Sequence, residues 1–243
     1  MFSPWFHVDH LPSPGGTWLL SRDEAKHATG SKRLGAGDSV ILFDGKGGVV
    51  EAVLGDERTR DGALVVRVVG TVEASWQGRR IRLACALPKG DRLSTLVDMT
   101  TQLGVAGFAP LRCERSVVSE TDARADRIRR IQVESCKQAR WPWVPELETE
   151  TTPQSLARRC ADDGIALVVA HPGGEPAATI RAALDAGAAP REPRACAVCI
   201  GPEGGFTERE VDELRAAGGR LIDLGPSVLR IETAAVAALA LLR

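Results

Sequence analysis

Nowhere is this chain apolar over the roughly 18 residues that a helix needs to cross a bilayer. The longest apolar run, AAVAALALL near the C-terminus, reads instead as a buried helix. The start, MFSPWFHVDHLPSPGG, lacks a basic segment followed by an apolar one, so a secretory leader is not expected and a cytoplasmic location is. Two phosphate loops are missing as well, since neither GxxxxGK[ST] nor GxGxxG occurs. The six cysteines, Cys85, Cys113, Cys136, Cys160, Cys196 and Cys199, are spread along the chain rather than packed into a short one. They read as small buried hydrophobes and not as disulfides. Cys196 and Cys199 form a CxxC, but no second CxxC and no HxxxH completes a four-ligand zinc set, so no metal is expected. The pair also lies in ACAVCI, a strand candidate in which positions three apart point to opposite faces.

What is present describes an ordinary globular protein, 44% hydrophobic and 26% charged, with length enough for one large domain or two smaller ones. The net charge of −1 argues against a generally basic nucleic-acid binder. Its distribution is uneven, however: residues 79–140 carry 13 Lys/Arg against 7 Asp/Glu, so the rest is acidic. A basic segment on an acidic protein points weakly to a polyanionic partner, and a solvated helix face is the plainer reading.

Residues 1–75 read mostly as strand, with short β-branched runs at 39–44, 49–54 and 63–69 separated by DGKGG and ERTRDG. One helix is expected at 22–34, acidic early and basic late. A small β-barrel-like domain is the natural assignment, with SWQGRR (75–80) as a linker. Strand and helix candidates then alternate to the C-terminus. Strands are expected at 81–87, 108–113, 165–171, 195–201 and 220–225, and helices at 91–104, 122–140, 153–162, 176–187, 207–218 and 232–243. That alternation predicts an α/β domain over 76–243 with a parallel sheet and helices on both faces. Ligands collect at the carboxyl ends of such strands. Three of those ends are rich in glycine and proline: AHPGGE, IGPEGG and DLGPSVLRIETA.

In IGPEGGF, Gly201, Gly204 and Gly205 let a ligand approach the main chain, and Pro202 stiffens the turn. Thr207 and Glu210 fit a capping box, so a helix begins directly after the loop. Glu203 would repel phosphate and suits a cationic or hydrogen-bond-donating ligand. A tight structural turn remains an equal reading. In LGPSVLRIETAAVAALALLR, Arg230 and Glu232 flank the start of a helix apolar enough to be buried, and Thr233 is placed to cap it. Charges there must pair with each other or meet a ligand.

These two stretches, about 20 residues apart, resemble the bacterial small-subunit ribosomal RNA uracil-N3-methyltransferases (RsmE-like) of the SPOUT superfamily. LPKGDRL, QLGV, ERSVV, ESCKQAR and VPEL match in the same order, and EAKHATGSKRLGAGDSVILFDGKGG is similar to that family's PUA-like RNA-binding domain. The resemblance spans essentially the whole chain. It implies a C-terminal deep trefoil knot, a homodimer, and S-adenosylmethionine held by three loops. Carried over, these loops contain His171 and Gly173; Ile200, Gly201, Pro202, Glu203, Gly204 and Gly205; and Leu224, Gly225, Leu229 and Arg230, with Thr233 beside them. The implied reaction is methyl transfer to N3 of a uridine in 16S ribosomal RNA, either free or in the assembled 30S subunit. Arg230 would offset negative charge on a uracil carbonyl, and Glu203 or Glu232 would accept the N3 proton. Arg112, Arg115, Arg124, Arg127, Arg130, Lys137 and Arg140 would contact RNA phosphates, while Trp141 and Trp143 would either stack on a base or pack. The chain departs from its relatives at Met99 and Gln102, where they usually carry lysine and glutamate. An RNA-binding protein of the same fold without catalysis, or an α/β enzyme for a phosphorylated small molecule, are the competing readings.

Overall fold

The computed structural model describes residues 3–186 and 195–243. It falls into two compact units: one comprises the chain up to Trp76 together with Cys136–Val144, the other Gln77–Ser135 with Pro145–Arg243.

The first unit contains β1 (Trp5–His7), β2 (Thr17–Leu20), α1 (Arg22–Lys26), a single π turn (His27–Ser31), β3 (Ser39–Phe43), β4 (Val49–Arg58) and β5 (Leu64–Thr71). The strands form one sheet in the order β1-β3-β4-β5-β2, antiparallel except for β1 beside β3. Alternation aims Leu64, Val66 and Val68 into a core with Phe6, Val40, Leu42, Ala25 and Ala28. The expected helix at 22–34 is thus a short α-helix that passes into a π turn. The β3–β4 turn is fixed by Asp44, whose Oδ1 accepts from the N–H groups of Lys46 and Gly48 at 2.8 and 2.9 Å. Gly47, with φ +100, leaves the space that the Trp143 indole fills. Trp141 and Trp143 lie 4.8 Å apart and 5.1 and 5.3 Å from Trp76, so of their two readings the structure selects packing.

The second unit alternates as the sequence predicts: β6 (Arg80–Cys85), α2 (Arg92–Gln102), β7 (Gly107–Pro110), α3 (Asp122–Ala139), β8 (Glu146–Leu147), α4 (Pro153–Asp162), β9 (Ala166–Pro176), α5 (Ala177–Ala186), β10 (Ala195–Ile200), α6 (Glu208–Ala216), β11 (Arg220–Asp223) and α7 (Ile231–Leu242). The last residues of α3, from Cys136, count with the first unit. Gly187, at the end of one expected helix, lies outside the described residues. All six strands are parallel, in the order β11-β9-β10-β6-β7-β8. Successive side chains serve opposite faces. Ile81, Leu83, Cys85, Cys196 and Val198 pack on one side with α2, α5 and α7. Ala84, Leu167, Val169, Ala197 and Cys199 pack on the other with α4 and α6. The C-terminal helix, apolar nearly all round, is buried accordingly through Ala235, Ala238, Leu239 and Leu242.

Strand β9 holds a large irregularity. Its Val169 pairs with Leu221, but the next residue of β11, Ile222, pairs with Glu175. Residues 170–174 therefore leave the sheet as a loop and the strand resumes beyond it. At the return point a Cβ on Gly174 would lie 2.7 Å from the carbonyl carbons of both Leu221 and Ile222. Only glycine lets the two backbones pass that closely.

Cys196 and Cys199 sit on opposite faces of β10, as the spacing requires, and all six cysteines are free and buried. Burial pushes the thiols of Cys113, Cys136 and Cys196 up to about 12, against an ordinary 9.0. Their thiolate fraction at pH 8 is therefore very small. A chromogenic disulfide reagent at pH 8 should label native protein slowly and all six thiols rapidly once guanidinium is added. The unfolded chain releases these protons from about pH 9, whereas the folded one retains them to about 12. Stability from this source is therefore complete below pH 9 and falls as pH rises across that interval, which alkaline melts will show.

Candidate functional site

The three glycine-rich strand ends expected to carry a ligand do converge. They enclose a cavity of about 430 Å3, whose walls are the loops after the first part of β9, after β10 and after β11, with Ile231 and Ala234 of α7. His171, Ile200 to Gly205, Leu224, Gly225 and Leu229 all line it.

Each wall has a local cause. After β10 the chain turns sharply and α6 begins at Thr207 with the expected capping box: Thr207 Oγ1 accepts from Glu210 N at 3.3 Å, and Glu210 Oε2 accepts from Thr207 N at 2.8 Å. The other oxygen of this buried carboxylate accepts from Glu114 N at 2.9 Å. A charged acceptor with this many donors holds its loop firmly. Arg115 braces the same loop, donating from Nη1 to the carbonyls of Gly204 and Phe206 at 2.8 and 3.3 Å. The Phe206 ring fills the space where a Cβ on Gly201 would stand. Gly173, Gly205 and Gly225 all have positive φ, and a Cβ on any of them would meet nothing within 4 Å, so these turns are open to a ligand.

Two of the expected charges are placed differently from one another. Glu203 forms an ion pair with Arg92 at 3.0 Å, at the start of α2 in the KGDR stretch. Glu232 is buried in the first turn of α7, and its Oε2 has no hydrogen-bond partner among the described residues. An unpaired buried carboxylate oxygen costs about 1–3 kcal/mol unless something donates to it. Both glutamates bear on Cys85 at the end of β6: burial first, then Cys113 and these two charges, raises its thiol well above the usual range.

Arg230, Glu232, Thr233 and Gly173 fall outside the cavity lining, whereas Glu203 is part of it. Arg230 is the N-cap of α7 and contributes through its backbone, accepting from Ala234 N at 2.8 Å, while its side chain is exposed. Thr233 does not cap that helix. The N-cap is Arg230, three residues before Thr233, which leaves Thr233 exposed within the first turn.

The basic segment is less free than its spacing implied. Arg112 pairs with Glu150 at 3.1 Å, Arg124 donates to Ser119 O at 2.6 Å, and Arg127 donates to Ser94 Oγ at 2.6 Å. Arg130 is exposed on α3. Lys137 is largely buried in an ion pair with Glu24 within the first unit, so it does not continue an exposed row; Arg140 lies in that unit too, with left-handed backbone (φ 54). Sequence reasoning missed Arg92, Glu210 as a long-range acceptor, and Asp223. The last accepts from Gly173 N and Gly225 N.

Residues 76–243 match the model of the RNA methyltransferase domain, and residues 20–66 that of the RNA methyltransferase PUA domain. A ribosomal RNA small subunit methyltransferase E of Mycobacterium bovis is 29% identical over 98% of this chain and 90% of its own length. The protein of that name from Bacillus subtilis is 29% identical over 92% of this chain and 88% of its own. Among solved structures, a methyltransferase of Legionella pneumophila in complex with the cofactor SAM superposes with TM-score 0.84 at 27% identity, covering 100% of this chain and 97% of that one. A ribosomal RNA small subunit methyltransferase E of Neisseria gonorrhoeae bound to S-adenosyl methionine gives TM-score 0.84 at 25% identity, over 98% and 96%.

Proposed function

Since the chain belongs to the RNA methyltransferase family, we propose that it methylates N3 of one uridine in small-subunit ribosomal RNA, with S-adenosylmethionine as donor. The observation that carries this reading is the three-walled cavity at the carboxyl ends of β9, β10 and β11. Its volume, about 430 Å3, suits a ligand of that size, and its open glycine turns suit one gripped by main-chain groups. Relatives solved with that cofactor support the choice.

When bound, the cofactor supplies an electrophilic methyl group on a sulfonium. His171, Ile200 to Gly205, and Leu224, Gly225 and Leu229 would hold it, with Gly173, Arg230 and Thr233 outside that lining. The N3 position of uracil carries a proton at neutral pH, which a base must take. Glu232 is the preferred acceptor, because one of its oxygens lacks a partner among the described residues, whereas Glu203 lines the cavity but is paired with Arg92. Arg230 offsets the charge that develops on a uracil carbonyl oxygen. Arg112, Arg124, Arg127 and Arg130 position the RNA through its phosphates, and Arg115 acts on the cofactor loop as well.

The finer architecture is proposed on the family resemblance: a SPOUT-type deep trefoil knot in 76–243, a PUA-like RNA-binding domain in 1–75, and a homodimer acting in the cytoplasm. Among the described residues no helix is long and apolar enough to cross a membrane. Mass mapping of ribosomal RNA from a strain lacking this protein should show one small-subunit uridine without its methyl. An unchanged map, or calorimetry showing no S-adenosylmethionine binding, overturns the reading.

A further inference from the structure

Asp223 ends β11, at the point where the chain leaves the sheet for the third wall of the cavity. Its two carboxylate oxygens are divided between two loops. Oδ2 accepts from Gly173 N at 3.1 Å, in the loop that interrupts β9, and Oδ1 accepts from Gly225 N at 2.7 Å, in the loop that follows β11. Both glycines have left-handed backbones, φ +73 and φ +115, and neither has a registered partner on a neighbouring strand. The base of the first loop is held separately, by Arg220 donating to Glu175 from Nε and Nη2 at 2.9 and 2.5 Å. That pair anchors where the strand resumes, but it does not reach the tip of the loop. Among the side-chain hydrogen bonds of the described residues, that from Gly173 N to Asp223 is the one that joins Gly173 to the wall facing it.

We propose that Asp223 is a positioning residue, tying the His171–Gly174 loop to the loop after β11 and thereby setting the separation of two walls of the cofactor cavity. The inference rests on the reading that this cavity takes S-adenosylmethionine. The geometry demands two acceptor oxygens on a short stem. Asparagine offers one oxygen and turns an N–H2 toward the other donor. Glutamate keeps the charge, but its extra methylene moves the carboxylate away from at least one N–H. A role through charge alone, as a counterion to the sulfonium, makes the opposite demand: glutamate would serve and asparagine would not.

Three proteins decide it: wild type, Asp223→Asn and Asp223→Glu. Each is titrated calorimetrically with S-adenosylmethionine and with its uncharged product S-adenosylhomocysteine, and amide exchange is followed over 171–174 and 224–227. Positioning predicts that both variants bind both ligands about tenfold or more weakly, by equal factors for the two ligands. It also predicts faster exchange in both loops, with turnover at saturating cofactor within about twofold of wild type. Unchanged affinities, or a loss confined to the asparagine variant and the charged ligand, overturn it. Should the asparagine variant fail to fold, the glutamate variant alone still separates the two roles. If wild type binds neither ligand, the cofactor reading fails, and the exchange comparison still decides whether Asp223 tethers the loops.

Discussion

Arg230→Ala is expected to lower methylation of small-subunit ribosomal RNA by about 10²–10³-fold, while cofactor affinity changes by no more than about threefold. The substitution separates the two because of how the residue is built in. Its structural duty, capping α7, is performed by its backbone carbonyl, which accepts from Ala234 N. Its φ of −70 and ψ of 157 are open to alanine. The guanidinium forms no hydrogen bond or ion pair among the described residues and falls outside the cavity lining. It is therefore available to the RNA base rather than to the cofactor. Single-turnover assays on small subunits, with calorimetry on the same preparation, make the check. A variant with full activity removes Arg230 from the chemistry.

Gly174→Ala is expected to destabilise the second unit by about 3 kcal/mol or more, near the top of the range for single substitutions. The new methyl would press on the carbonyl carbons of Leu221 and Ile222, both main chain and both held in β11. Neither can swing aside as a flexible side chain would. For a chain of this size, that loss corresponds to roughly 6–12 °C in melting temperature. Gly173→Ala is the matched comparison. It meets nothing within 4 Å and suffers only the left-handed backbone penalty, about 1–2 kcal/mol. Similar melting curves for the two variants would mean that β11 does not pass against Gly174.

The alternation of the second unit was readable because most of its strands are short, mainly apolar runs with glycine close by. The three glycine-rich ends were readable as one site through the rule for parallel sheets. What escaped was short or distant. β1 has three residues, β8 has two, and TWLL in β2 carries no clear alternation. The resumption of β9 beyond its loop depends on a partner, Ile222, that no local pattern announces. Lys137 reads as one more surface cation until its burial against Glu24, 113 positions away, is known. Asp223 looks like an ordinary strand-ending turn residue, since its donors come from Gly225 nearby and from Gly173 at a separation of 50. Glu210 shows the boundary within a single side chain. Its capping role follows from TERE, whereas its grip on Glu114 needs the fold.

The strand order carries a consequence for biosynthesis. β6, near the middle of the sheet, takes β10 as a neighbour, pairing Arg80 with Ala195, so it waits for more than about a hundred further residues to be made. At translation speeds of about 5–20 residues per second that interval lasts several seconds, during which an apolar strand has one flank uncovered. The first sheet, by contrast, is complete by Thr71 and can collapse on the emerging chain. Maturation in the cell should thus begin at the N-terminus and finish late, and nascent chains halted before β10 should be held by chaperones and cut readily by proteases beyond Trp76.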